Sequence, residues 1–217
     1  MNKSKVINET AEFVRNKLQG EGSGHDWWHV YRVWQTAKVI AKKEKVDTFN
    51  VELAALLHDI ADWKFYDGDE SVGPRIAGDW LEKQGLDEKS VKFIKEAIED
   101  VSFKGAGVKK KVRSKEGGVV QDADRLDAIG AIGIGRTFAY GGFNHREMYN
   151  PDTKVLMAKN FEEYKAAGQT TINHFYEKLL LLKDLMNTKT AKKIAGRRHR
   201  FMEEFLDEFF KEWKGQS

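Results

Sequence analysis

The chain has no cysteine, only two prolines among its 217 residues, and a net charge of only +3 from 37 basic and 34 acidic side chains. Without cysteine there is no disulfide, no thiolate nucleophile and no cysteine-based zinc site. The small net charge gives no support for a nucleic-acid partner. No apolar run approaches the roughly 18 residues of a membrane-spanning helix, and the N-terminus has no signal-peptide core. These absences predict a cytoplasmic protein with no membrane partner, in which histidines and carboxylates hold any metal.

The hydrophobic content predicts one sizeable core, because 41% of the residues are apolar and 12% are aromatic. Alternating strand-like runs are scarce, whereas long stretches keep helical spacing. The predicted architecture is all-α, a single domain over residues 1–217 with a motif-bearing core at about 20–145 and a helical C-terminal extension at about 150–214. Within it, the spacing predicts helices over 3–19, 26–43, 74–84, 88–101, 116–127, 154–167, 170–187 and 188–214. A further helix is predicted after cap candidates at 47–50, with His58 and Asp59 near its C-terminal end, and the glycine-interrupted stretch 130–142 is predicted to begin helical and to end in a loop at 140–142.

The most informative stretch of the sequence is Leu53–Asp62, where an almost wholly apolar run ends in His58, Asp59 and Asp62. Such a run belongs in a core. Burying these polar groups without partners costs on the order of several kcal/mol each. A metal ion is the partner that suits an imidazole beside a carboxylate.

Four residues on three predicted helices are candidate metal ligands: His29, His58, Asp59 and Asp124. Helical proteins build metal sites from facing side chains in this way. A lone histidine on an apolar helix is more often a satisfied core residue than a ligand. The adjacent pair His58-Asp59 favours the metal, because both groups need partners at one place.

A second metal pattern competes at residues 25–29, where His25 and His29 have the spacing of the metalloprotease signature His-Glu-x-x-His. Asp26 takes the place of the glutamate, and its shorter side chain reaches less far toward a zinc-bound water. The glycine-rich lead-in also puts His25 at a helix start, where Asp26 is a candidate N-cap. These features disfavour a protease.

The ordered set His29, His58-Asp59 and Asp124 resembles the H…HD…D motif of the HD superfamily of metal-dependent phosphohydrolases. The sequence segments around these residues, at 24–33, 54–59 and 121–130, look like the corresponding segments of the small single-domain members of the superfamily. The likeness spans roughly residues 20–145. The resemblance implies an all-helical fold and one divalent metal ion, often manganese, iron, cobalt, nickel or magnesium. It also implies hydrolysis of a phosphate ester or anhydride, commonly in nucleotides.

Several acidic residues have open roles. Either Asp122 or Asp124 could be the ligand, and the family pattern favours Asp124, which would leave Asp122 as a supporting partner or cap. Asp62 lies three residues after Asp59, where nucleotidase-like relatives carry an acid that exchanges a proton with the attacking water. Asp67 falls in an acidic stretch where similar enzymes place an acid near water or substrate, although a solvated loop charge explains it equally well.

A phosphate substrate needs positive charge near the metal. The candidates are Arg32, Lys64, Lys104 and Arg125, each of which could instead be a surface charge or an ion-pair partner. Arg136 is a further candidate substrate-binding residue, on the sugar or base side of the pocket. The basic run at 189–200 suggests RNA binding, but its apolar residues at helical spacing favour the solvent-facing side of the last helix.

The sequence therefore predicts a (deoxy)nucleoside triphosphate pyrophosphohydrolase acting on a small phosphorylated substrate. A 5′-nucleotidase and a non-catalytic metal- and nucleotide-binding protein are the alternatives. Exposed aromatics such as Trp213 are compatible with a homodimer.

Overall fold

The computed structural model describes residues 1–20, 26–61, 69, 71–101, 112–156 and 170–216, and these form only helices and connecting segments. The α-helices are α1 (Lys3–Lys17), α2 (Trp27–Glu44), α3 (Thr48–Leu57), α4 (Val72–Lys83), α5 (Glu88–Val101), α6 (Lys115–Asp127), α7 (Gly130–Phe143), α8 (Thr171–Glu177) and α9 (Lys189–Trp213). A 3-10 helix over Leu179–Leu185 lies between α8 and α9. The all-α prediction is confirmed.

Local capping chemistry explains where the helices that carry the candidate site begin. The Asp26 carboxylate accepts a hydrogen bond of 2.8 Å from the His29 amide, and Asp47 caps α3 by accepting from the Phe49 amide at 3.0 Å. Each cap satisfies an amide that has no partner inside its helix. The predicted capping role of Asp26 is confirmed.

The chain packs as two compact units, and the boundary between them falls within α6, between Asp124 and Arg125. In the first unit α3 packs against α1, α2 and α5, and α4 packs against α5. Seven of the ten residues of α3 are buried. The indole Nε1 of Trp34 on α2 donates a hydrogen bond of 2.8 Å to the Glu52 carboxylate on α3. This bond fixes the relative position of the two helices. The single-domain organisation stays a prediction.

The second unit brings α9 against α7 and the 3-10 helix, and α8 against α7 and the 3-10 helix. The continuous helix predicted over 170–187 is wrong, because the chain leaves α geometry at Lys178, with φ −138° and ψ −57°. Of the four consecutive leucines that follow, Leu179 and Leu182 are buried. A 3-10 helix has three residues per turn, so it places residues three apart on one side. The predicted helix at 154–167 falls largely on 157–169, outside the described residues. The loop predicted at 140–142 is wrong, because α7 continues through these residues to Phe143.

Four of the described glycines have positive φ angles that other residues rarely adopt, and two of these, Gly85 and Gly130, lie next to helices of known packing. Gly85 has φ +77° just after α4, where the sequence predicts a helix stop. Gly130 has φ +80° at the start of α7, and a Cβ there would lie 2.9 Å from Cγ of Arg198. The Arg198 guanidinium donates to the Leu126 carbonyl. Burial lowers the pKa of Arg198, and the charge of Asp127 opposes that effect.

A buried carboxylate joins α5 to α6. Asp100 is 1% exposed and accepts hydrogen bonds from the Arg113 amide at 2.8 Å and from the Arg113 Nε at 2.9 Å. Its own carbonyl accepts from Nε2 of Gln121 at 2.6 Å. The same Arg113 guanidinium also reaches Glu99 at 2.8 Å, but that carboxylate is 45% exposed. Asp100 therefore anchors the helix that carries Asp124.

We expect Asp100→Ala to lower the free energy of unfolding by about 3 kcal/mol, because it leaves a buried amide and a guanidinium without their charged acceptor. Glu99→Ala removes an exposed ion pair of the same arginine and should cost less than about 1 kcal/mol. At roughly 3 °C per kcal/mol for a chain of this length, thermal unfolding separates the two variants clearly. Equal shifts in melting temperature would contradict this account of Asp100.

Candidate metal centre

Two buried histidines form the base of the candidate site. His29 lies in the first turn of α2, and His58 is the residue that ends α3. Both side chains are only 1% exposed, and their ring centroids are 5.4 Å apart. Nδ1 of His58 lies 2.8 Å from the Ala55 carbonyl oxygen. Because a carbonyl oxygen only accepts, Nδ1 carries the proton, and Nε2 is left with the lone pair that a metal ligand needs.

Two carboxylates face these imidazoles. Oδ2 of Asp59 lies 3.3 Å from Nε2 of His29 and 3.7 Å from Nε2 of His58. Oδ1 of Asp124 lies 3.5 Å and 3.9 Å from the same two nitrogens. The side chains of Asp59 and Asp124 are 23% and 29% exposed, so the cluster is closed on the histidine side and open to solvent on the carboxylate side.

The residues present fit a divalent metal. His29, His58 and Asp59 each offer a ligand atom, and these atoms lie within 4.8 Å of one another. Nε2 of His58 is buried and has no hydrogen-bond partner in the described part of the chain. Its lone pair points toward carboxylate oxygens, which are also acceptors, so a cation is the group that satisfies both. Two imidazole nitrogens with carboxylate oxygens suit first-row divalent ions.

The two acids that the sequence left open, Asp122 and Asp124, lie in different surroundings. Asp124 brings a carboxylate oxygen to both histidines, whereas Asp122 is 0% exposed. Asp127, one turn after Asp124, accepts a 2.6 Å hydrogen bond from the Arg136 guanidinium. Arg125 donates a hydrogen bond to the Leu185 carbonyl. Arg125 and Arg136, both predicted to bind substrate, therefore each make a contact within the protein.

The remaining predicted site residues divide into two groups. Arg32 is described and half-buried on α2. The others lie outside the described residues: His25, Asp62, Lys64, Asp67 and Lys104. Their predicted roles stay predictions.

The sequence interpretation missed the residues that hold the ligand helices in place. Asp100, Gln121 and Glu52 bind side chains or backbone of neighbouring helices. For Asp100 there was a signal, because it lies three residues after Ala97 on the buried side of α5. An acid at such a position needs a buried partner.

The comparisons with known proteins agree with this geometry. The family model described as HD domain matches residues 27–129, which include all four candidate ligands. YpgQ of Bacillus subtilis (strain 168) is 38% identical over 216 residues, covering 99% of this chain and 97% of its own length. The chain therefore belongs to the HD superfamily, and it is a hydrolase of the metal-dependent phosphohydrolase type.

Two solved structures are similar over nearly the whole chain. A crystal structure of an HD-superfamily hydrolase from Bacillus thuringiensis is 43% identical, with a TM-score of 0.79, and the match covers 99% of this chain and 100% of that one. The crystal structure of B. subtilis YpgQ in complex with ADP has 34% identity in this comparison and a TM-score of 0.78, covering 98% and 97% of the two chains. Among the described residues, no helix has the length and hydrophobicity needed to cross a membrane.

Proposed function

We propose that the protein hydrolyses (deoxy)nucleoside triphosphates to monophosphates and pyrophosphate with the help of a divalent metal. The observation that carries the proposal is the cluster in which two buried imidazoles meet two partly exposed carboxylates. The nucleotide part is supported by B. subtilis YpgQ, whose crystal structure contains ADP. A phosphate chain in that relative favours a nucleotide polyphosphate over a simple phosphate ester.

We assign the metal ligands as His29, His58, Asp59 and Asp124. When bound, a divalent ion polarises phosphoryl oxygens and lowers the pKa of water. The ion would be manganese, iron, cobalt, nickel or magnesium, because this donor set does not select one of them. The exposed side of Asp59 and Asp124 is where a substrate can approach, since both histidines are buried.

Asp62 is the proposed general base. It follows Asp59 by three residues, and an acid at this place can take the proton from the attacking water. Asp67 is assigned to contact that water or the substrate. Both assignments rest on the sequence.

The substrate phosphates would be bound by basic side chains, for which Arg32, Lys64, Lys104 and Arg125 are the candidates. Arg136 would contact the sugar or the base. Such groups neutralise the charge that develops during phosphoryl transfer. The basic stretch at 104–113 favours a substrate with several phosphates over a monophosphate.

The test is a product screen with metal-stripped protein that receives manganese, magnesium, cobalt or nickel in turn. Ribo- and deoxynucleoside mono-, di- and triphosphates are offered, and pyrophosphate and phosphate are measured separately. We expect pyrophosphate from triphosphates only when metal is present. Phosphate released from monophosphates would identify a 5′-nucleotidase instead. No product at all, with metal demonstrably bound, would favour a non-catalytic binding protein.

A further inference from the structure

An exposed tryptophan lies beside the candidate metal ligand of α2. Trp28 directly precedes His29 in the first turn of this helix, and Trp28 is 58% exposed whereas His29 is 1% exposed. Tryptophan is highly buried on average in folded proteins, because its large apolar surface is costly to leave in water. The described part of the chain therefore leaves more than half of this residue open next to the metal centre.

The position of the Trp28 ring is fixed by its neighbours on α2. The ring centroid lies 6.0 Å from that of Tyr31, with the two planes at 80°, and Tyr31 meets Trp34 in the same way, at 6.1 Å and 81°. Trp34 is anchored in turn, because its indole Nε1 bonds to Glu52 on α3. Edge-to-face contacts of this kind stabilise ring orientations beyond the area that they bury. Trp28 is therefore a preorganised aromatic surface.

Three side chains follow one another around α2 in the order metal ligand, cation, aromatic ring. An α-helix turns by about 100° per residue, so Arg32 lies about 60° from His29 around the helix axis, and Trp28 lies about 100° from His29 in the same direction. His29 is buried, Arg32 is half-buried and Trp28 is exposed. The series therefore runs from the base of the metal centre outward to solvent.

This order matches the order of groups along a nucleoside triphosphate. The phosphates carry the charge that a metal ion and an arginine neutralise. The base is a flat ring system at the other end of the molecule, and bases stack on aromatic side chains through their faces. With the phosphates between the metal centre and Arg32, the base lies toward the exposed side of α2, where Trp28 is.

We propose that Trp28 stacks on the base of the bound nucleotide and thereby favours purines over pyrimidines. This inference rests on the proposed hydrolysis of nucleoside triphosphates, and it names the part of the substrate that the side chain contacts. Stacking tolerates every base, because each base has a π-face, and its modest preferences follow stacking strength. A purine, with two fused rings, covers more of an indole than a pyrimidine does.

The test measures kcat and KM of the manganese-loaded full-length protein for ATP and CTP. We expect Trp28→Ala to raise the KM for ATP by roughly 5- to 150-fold, which is the loss that removing one base stack produces. The value of kcat should change little, because the reacting phosphates do not contact the ring. The KM for CTP should rise less, so the preference for ATP over CTP should shrink.

Three controls separate stacking from a general loss of structure. Trp28→Phe keeps an aromatic ring and should recover most of the affinity, whereas Trp28→Leu keeps only apolar bulk and should not. Trp213→Ala removes another exposed indole, at the end of α9, and should keep the wild-type KM. Inorganic triphosphate has no base, so its inhibition constant against ATP should be the same in the wild type and in Trp28→Ala.

Calorimetric titration of the manganese-loaded protein with ADP distinguishes the failure of this inference from the failure of the proposed hydrolysis. If the wild type binds ADP without turning over any triphosphate, and Trp28→Ala binds it more weakly, the stacking role stands and the hydrolase proposal falls. If ATP is hydrolysed with the same KM by the wild type and Trp28→Ala, the stacking role is overturned and the hydrolase proposal stands. Equal losses toward ATP and inorganic triphosphate would overturn the stacking role as well. A wild type that neither hydrolyses triphosphates nor binds ADP would overturn both.

Discussion

We expect His58→Ala to abolish the stabilisation of the protein by added manganese. A ligand that binds only the folded state stabilises it by about 2.7 kcal/mol at 100 times its Kd. In the wild type this should raise the melting temperature by roughly 8 °C, at about 3 °C per kcal/mol. The variant loses the nitrogen that the Ala55 carbonyl orients toward both carboxylates. Its metal affinity should fall at least about 100-fold.

The control for this variant is His145→Asn, which removes an exposed histidine. Asparagine tolerates the positive φ of 56° at this position better than alanine does. The control should keep the full response to manganese and the full hydrolytic rate, whereas His58→Ala should hydrolyse substrate no faster than the metal-stripped wild type. An unchanged manganese response in His58→Ala would show that the metal is held elsewhere.

The second large effect is expected for Asp62→Asn. If Asp62 accepts the proton of the attacking water, kcat should fall by roughly 10²- to 10⁴-fold. The manganese response should remain, because Asp62 is not among the assigned ligands. Separate measurements of kcat and of the manganese-dependent melting temperature distinguish these two effects.

Asp69→Asn is the matched control in the same stretch of chain. The Asp69 carboxylate is exposed and accepts from the hydroxyl and amide of Ser71, which lowers its pKa. The Asp69→Asn variant should retain the wild-type kcat. If Asp62→Asn turned over as fast as Asp69→Asn, the proton-transfer role of Asp62 would be refuted.

The parts of the fold that depend on local chemistry were predictable. Asp26 and Asp47 begin α2 and α3 because their carboxylates bind nearby amides, and Gly85 follows α4 because it tolerates a positive φ. The break at Lys178 was not predictable, since consecutive leucines fit an α-helix and a 3-10 helix equally well. The boundary between the two compact units inside α6 also has no signal in the composition.

The candidate site shows a similar division. The sequence proposed His29, His58, Asp59 and Asp124, and the structure brings ligand atoms from all four close together. The sequence alone could not show whether Asp122 or Asp124 is the ligand, because two acids on an apolar helix both need partners. The ion pair of Asp100 with Arg113 was missed, since it joins residues 13 apart in the chain. Such pairs depend on how helices pack, which a periodic pattern does not specify.

The most direct test of the metal centre is an anomalous difference map from crystals grown with manganese. We predict one strong peak per chain, within bonding distance of Nε2 of His29, Nε2 of His58, Oδ2 of Asp59 and Oδ1 of Asp124. A well-occupied peak at other residues, or one that Asp124 does not contact, would contradict the assignment of the site.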